Sequence, residues 1–316
     1  MEQSQTALKD HIRGFFEYLD LERGLANKSQ ETYIRLLNQF LRWLHQNNLD
    51  DLKPHDLTEE HIWQYRVFLS RHINSKTKEP LKRSTQNYYL IALRNLFKYF
   101  TDRGIICLPA DKIKLAKSKS HERTIKFLSL EQVKKLLDAP RTSTNTGLRD
   151  RAILEAFFST GLRVAELVSL NQEQFRITPE TQDTEIVIVG KGNRTRPVYF
   201  SKRAVEWLRK YLKTRKDDEK ALFINYKGPA KASKRLTSRS VENIVKKYAL
   251  SAGIPNFTSP HTLRHSFATD LLTQGVDLRE VQEFLGHKNI STTQIYVHVT
   301  SKRLRETHRK FHSFNE

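Results

Sequence analysis

At 316 residues, 38% of them hydrophobic, the chain is long enough for two domains with separate cores, and no apolar stretch approaches a membrane span. The lone Cys107 excludes an internal disulfide and a four-cysteine zinc site, and the polar start MEQSQTALKDHIRGFF does not read as a signal peptide, so a cytoplasmic protein is expected. The formal net charge of +20 points to a polyanionic partner, most often nucleic acid, and residues 1–107 hold only 16 Lys+Arg against 13 Asp+Glu, so most of the excess lies further on.

The first hundred residues read as four helices. After one around residues 6–22, KSQETYIRLLNQFLRWLHQNN sets Tyr33, Leu36, Leu37, Phe40, Leu41 and Leu44 at helical spacing behind a Ser29 cap. LTEEHIWQYRVFLSRHI starts at the cap candidate Thr58 and puts Ile62, Tyr65, Phe68 and Leu69 on one face. STQNYYLIALRNLFKYF takes Ser84 as cap and turns Leu90, Leu93, Leu96 and Phe97 inward. Such stripes are core. Residues 1–107 are therefore expected to form a helical domain, and residues 108–127 an extended basic linker carrying Lys112, Lys114, Lys117, Lys119, Arg123 and Lys126. That linker is either a solvated connection or a segment that crosses a DNA backbone.

A second domain is expected over residues 128–316. It opens on an S-x-x-Q capping box at Ser129 and Gln132. GLRDRAILEAFFSTGLRVAELVSL predicts two helices broken near Thr160 and Gly161. EIVIV, a turn around GKGN and RPVYF predict a β-hairpin. Helices return at SKRAVEWLRKYLK, SRSVENIVKKYAL, TLRHSFATDLLTQG and LREVQEFLGH, and a helical tail is expected at about 301–311. The fold class is mainly α with one small β-hairpin.

Taken singly, the chemical candidates are modest. Lys191 fits a solvated turn lysine, and a lone His261 or His287 fits a structural histidine. His261 and His265 stand four apart, the spacing at which two imidazoles share a helix face and hold zinc in metalloproteases, but Thr262 follows His261 where that chemistry places a glutamate base. Arg163 is the exception. It follows a glycine break on an otherwise alanine-, valine- and leucine-rich segment, and a half-buried arginine needs an anion. Glu166, three positions on, can supply it on the same helix face.

Taken together, TGLRVAEL, a hairpin lysine, HTLRH, LGH and Tyr296 nine residues beyond His287 form an ordered set. The set resembles the tyrosine recombinases, with their R…K…H-x-x-R…H…Y active site, over nearly the whole chain. LGHKNISTTQIYVHV looks most like the Xer recombinases. The resemblance implies a SAM-like helical core-binding domain followed by an α+β catalytic domain. It also implies a catalytic set of Arg163, Lys191, His261, Arg264, His287 and the nucleophile Tyr296, with Glu166 orienting Arg163.

A free phenol has a pKa of roughly 10 and needs activation. In the family His261 accepts the phenolic proton, Arg163 and Arg264 hold the nonbridging oxygens, Lys191 protonates the departing 5′ oxygen, and His287 donates a hydrogen bond to the phosphate. The product is a 3′-phosphotyrosyl bond and a free 5′-hydroxyl, with neither ATP nor metal required. Four protomers on two duplexes of a double-stranded recombination site would then pass through a Holliday junction, as a homotetramer or beside a paralogous recombinase. A cell-division DNA translocase is an implied partner. The tail SKRLRETHRKFHSFNE packs on the neighbouring protomer in this family, although Arg303, Arg305, Arg309 and Lys310 leave DNA contact open.

A small Xer-like chain suggests resolution of chromosome dimers, with recombination of a mobile element as the alternative. A type IB topoisomerase, a silent DNA-binding protein and a zinc hydrolase fit the motif set less well. On this reading His265 supports its helix and does not touch DNA. His265→Ala should therefore lower thermal stability more than it lowers strand cleavage; a variant that folds normally yet no longer cleaves would contradict that assignment.

Overall fold

A computed structural model describes residues 1–74, 77–116, 125–175, 177–178, 180–190, 195–227 and 233–287. The chain folds as two compact units, residues 1–121 and 122–316. No helix among the described residues is long and apolar enough to cross a membrane.

The first unit holds a 3-10 turn at Leu8–His11 and four helices: α1 (Ile12–Leu21), α2 (Asn27–Gln46), α3 (Glu59–Arg71) and α4 (Arg83–Asp102). Their apolar stripes meet in a core built on Phe15, Leu37, Phe40, Trp43, Tyr65, Leu93, Phe97 and Phe100. Trp43 is fully enclosed, although the stripe drawn from sequence omits it.

Thr58 caps α3 as expected, with His61 completing a reciprocal box in the place usually held by Glu or Gln. Two other expected caps are not caps. Helix α2 starts behind Ala26 and α4 behind Lys82, neither with a side-chain cap, so Ser29 and Ser84 lie inside the first helical turns. In α2 the helix starts three residues early at Asn27, and the Ser29 amide already donates to the Ala26 carbonyl.

The opening of the expected linker packs on this unit. Ile113 is fully buried in its core, with Leu108, Ala110 and Leu115 against the same cluster. The Asn87 amide holds Ala116 by both of its backbone groups (2.9 and 3.0 Å), and Arg94 Nε donates to the Ile113 carbonyl at 2.7 Å. One fully buried side chain, its partly buried neighbours and three polar contacts fix a stretch with little apolar periodicity of its own.

The second unit contains α5 (Leu130–Asp138), α6 (Asn145–Thr160), α7 (Val164–Ser169), β1 (Thr184–Val189), β2 (Thr195–Phe200), α8 (Lys202–Leu212), α9 (Ser238–Ser251), α10 (Pro260–Gln274) and α11 (Leu278–Leu285). The Ser129–Gln132 capping box forms at the start of α5. Helix α6 is enclosed almost all round, and its buried charges are paired: Arg149 with Asp150, and Arg151 with Glu155.

The two strands pair antiparallel, with Ile188 opposite Arg196, Ile186 opposite Val198 and Thr184 opposite Phe200. That face turns Ile186, Ile188, Val198 and Phe200 into the core, while Val187 and Tyr199 on the other face are exposed. Among the described residues the fold is mainly helical with one two-stranded sheet, as the sequence predicts.

Gly161 ends α6 at φ +60°, and a Cβ there would lie 2.4 Å from the Phe267 ring on α10. The glycine thus supplies both the left-handed turn and the close approach that bring the end of α6 against α10.

Ile113→Ala should destabilise the first unit by about 2–5 kcal/mol, the usual range for emptying a buried aliphatic site. Urea denaturation of the full chain checks this; an unchanged midpoint would show that the segment adds no packing energy.

Candidate active site

Arg163 stands directly after the Gly161 turn, in extended conformation at the N-cap of α7. Its backbone amide donates to Glu166 Oε2 (2.8 Å) and its Nη1 to Glu166 Oε1 (2.8 Å). One buried carboxylate therefore caps the helix and holds the guanidinium. Arg163 Nη2 also donates to the Gly286 carbonyl at 3.3 Å, and about 30% of the arginine side chain stays exposed.

HTLRH occupies the first turns of α10, behind a Ser259 cap and Pro260. His261 is exposed, Arg264 is buried and His265 is half-buried. Arg264 donates from Nη1 to the Gly161 carbonyl (2.6 Å) and from Nη2 to the Leu285 carbonyl (2.5 Å). His261 and Arg264, three apart, share a helix face.

LGH closes α11. Gly286, at φ +62°, reverses the chain after Leu285, and His287 follows with its amide on the Gln282 carbonyl and its own carbonyl on Gln282 Nε2. The fold thus brings Arg163, Glu166, Arg264 and His287 to one place, the C-terminal turn of α11.

A fifth member was not anticipated. Arg196, on β2, donates from Nη1 and Nη2 to the two oxygens of Glu166, each at 3.0 Å, and from Nε to the Phe284 carbonyl at 3.3 Å. A Cβ on Gly286 would lie 2.8 Å from Arg196 Cδ, so this glycine makes room for the arginine. A signal existed in the strand alternation. Arg196 falls on the same face as buried Val198 and Phe200, where a cation needs an anion.

Lys191 and Tyr296 lie outside the described residues, as do Lys117, Lys119, Arg123 and the tail. Lys112 pairs with Glu59 at 3.1 Å with both partners half-exposed, and Lys114 is exposed. Among the described residues no group of three His, Cys, Asp or Glu side chains is placed to hold a metal ion.

Burial alone would raise the Glu166 carboxyl, but hydrogen bonds from Arg196 and from the Arg163 amide and guanidinium, together with the Arg196 charge, hold it below the ordinary carboxylate value. His287 is pushed down to about 4 by burial and then by the charges of Arg264, Arg163, His265 and Arg196. His265 is likewise at about 4, through burial and the neighbouring His261 and Arg264. Both rings are neutral near pH 7, so His287 can donate one hydrogen bond to an anion without adding a charge.

Because these folded values lie below the ordinary 6.5, the unfolded chain binds more protons between about 4 and 6.5. Stability should fall as pH drops through that interval. His287→Asn should flatten the dependence of melting temperature on pH there; an unchanged slope would contradict it.

Residues 126–303 match the Phage integrase family, and residues 12–104 match the Phage integrase N-terminal SAM-like domain. The tyrosine recombinase XerD of Lacticaseibacillus casei is 37% identical over 308 residues, covering 95% of this chain and 98% of that protein. The tyrosine recombinase XerC of Thermodesulfovibrio yellowstonii is 36% identical, covering 97% of each. The fold is shared with a XerH site-specific recombinase bound to difH substrate in a pre-cleavage complex (TM-score 0.73, 22% identity, 96% of this chain and 97% of that one). Such similarity along nearly the full length places the chain in the phage integrase family, among the Xer tyrosine recombinases, the site-specific recombinases that cut and rejoin DNA.

Proposed function

We propose that Arg163 and Arg264 hold the nonbridging oxygens of one scissile DNA phosphate, that His287 adds a hydrogen bond, and that Glu166 orients Arg163. The observation that carries this reading is the convergence of both arginines and His287 on the Phe284–His287 turn. Arginine suits the role because its planar fork donates two parallel hydrogen bonds and keeps its charge.

The rest of the reaction follows from the family's residue pattern. The Tyr296 phenolic oxygen attacks phosphorus as His261 accepts its proton. The bond from phosphorus to the 5′ oxygen breaks, and Lys191 gives that oxygen a proton. The chain is left joined to the DNA 3′ end, and a 5′-hydroxyl from a partner duplex can reverse the step, since the phosphotyrosyl bond keeps the energy of the broken linkage.

The DNA partner is a double-stranded recombination site, reached by a basic second unit, by Lys112, Lys114, Lys117, Lys119 and Arg123, and by the first unit. Helix α2 supports the last contact, presenting Lys28, Arg35 and Arg42, all exposed and seven residues apart. Four protomers act on two duplexes. An apolar groove of about 690 Å3, lined in part by Tyr199, Phe267, Leu271 and Phe284, suits the apolar residues Leu304, Phe311 and Phe314 of a neighbour's tail. The cellular role is resolution of chromosome dimers in the cytoplasm, in step with a cell-division DNA translocase.

Tyr296→Phe tests the chemistry. Covalent protein–DNA adducts should vanish while DNA binding persists; adducts that survive the substitution would overturn the assignment.

A further inference from the structure

Arg196 is the polar residue at the site for which the mechanism above has no task. It is not a solvated hairpin cation: its side chain is 11% exposed and three of its nitrogens are engaged. Arg163 already meets both oxygens of Glu166, with its amide on Oε2 and its Nη1 on Oε1, but those donors belong to the residue being positioned and give the carboxylate no independent anchor. The paired bonds from Arg196 fix the plane of Glu166, because two parallel N–H donors match two oxygens in only one orientation. Glu166 Oε1, gripped by Arg196 Nη1, is also the oxygen that receives Arg163 Nη1.

The second anchor acts in the same sense. Arg196 Nε holds the Phe284 carbonyl, the first of three successive carbonyls whose next two receive Arg264 and Arg163. Both supports of the Arg163 guanidinium, Glu166 and the Gly286 carbonyl, thus touch or adjoin Arg196.

We propose that Arg196 is a positioning residue for strand cleavage: through Glu166 and the Phe284–Gly286 turn it sets where the Arg163 guanidinium meets the scissile phosphate. This rests on the reading that Arg163 binds that phosphate. A shift of the guanidinium by an ångström is enough to weaken its grip on charge that builds in the transition state.

The experiment measures single-turnover cleavage of a nicked half-site selected by binding to the wild-type protein. The scissile linkage is either a phosphodiester or a methylphosphonate, which lacks one charged nonbridging oxygen and so needs less positive charge. Arg196→Gln should slow cleavage of the phosphodiester by about 10- to 100-fold, in line with the cost of a displaced catalytic group. The loss should shrink on the methylphosphonate, in parallel with Arg163→Ala.

An equal loss on both substrates would assign Arg196 to packing alone and overturn the proposal, as would wild-type rates for Arg196→Gln. Wild-type cleavage of the phosphodiester by Arg163→Ala would overturn the reading beneath it, which separates the two failures. Should Arg196→Gln fail to fold, Arg196→Lys keeps the charge and loses the fork. Combined with Glu166→Gln it should add little to the single losses, because both changes act along one path, whereas independent, multiplying losses would overturn the proposal.

Discussion

Three successive carbonyls at the end of α11 organise the second unit. Those of Phe284, Leu285 and Gly286 receive Arg196, Arg264 and Arg163 in turn. A helix C-terminus leaves its last carbonyls without partners in the helix and carries a partial negative charge, so it attracts cations. Three guanidiniums at one helix end would nevertheless repel each other, and the Glu166 carboxylate between two of them is what the fold sets against that repulsion. These four side chains carry three positive charges and one negative. The remainder suits a phosphate, and suits better the phosphorane formed when a phenolate attacks a diester, which carries two negative charges. The two glycines that shape the site, Gly161 and Gly286, act at helix ends where the backbone is left-handed.

Much of this was legible in the sequence because it is local. The pairing of Arg163 with Glu166 is a three-residue relation, as is the capping box at Ser129, and the Thr58 cap is as local. The hairpin is announced by alternation and a glycine turn. The Ser29 and Ser84 caps misled because serine favours a cap by only a modest free energy, and the backbone entered the helix earlier at both places. What composition hid is long-range. Arg196 lies 30 residues from Glu166 and 88 from Phe284, in a segment rich in basic residues. Only its place on the buried face of β2 sets it apart. Ile113 is hidden for the same reason, as one apolar side chain in a basic stretch that finds its core through contacts no periodicity announces.

The two neutral histidines belong to the same balance of charge. Protonating His287 would add a further cation to a place that already holds Arg163, Arg196 and Arg264, and burial removes the water that would screen it. The ring stays neutral and contributes direction in place of charge. An anion site of the kind proposed can thus include both arginine, which cannot lose its proton, and histidine, which here does not gain one.

The same balance decides how HTLRH should be read. Two histidines four residues apart invite a divalent cation, and the spacing alone permits it. The surroundings do not favour it. A dication at His265 would sit beside Arg264 and within electrostatic reach of the groups that depress His287, where each guanidinium opposes it. The attraction that would draw a metal to the imidazoles is thus set against several like charges at short range, and a phosphate meets the reverse. His261, exposed at the start of α10, and Arg264, anchored one turn further on the same face, are the pair that faces this field, while half-buried His265 is held by the interior of its helix. The charges around the four-residue spacing disfavour a metal, and those around the three-residue spacing beside it favour an anion.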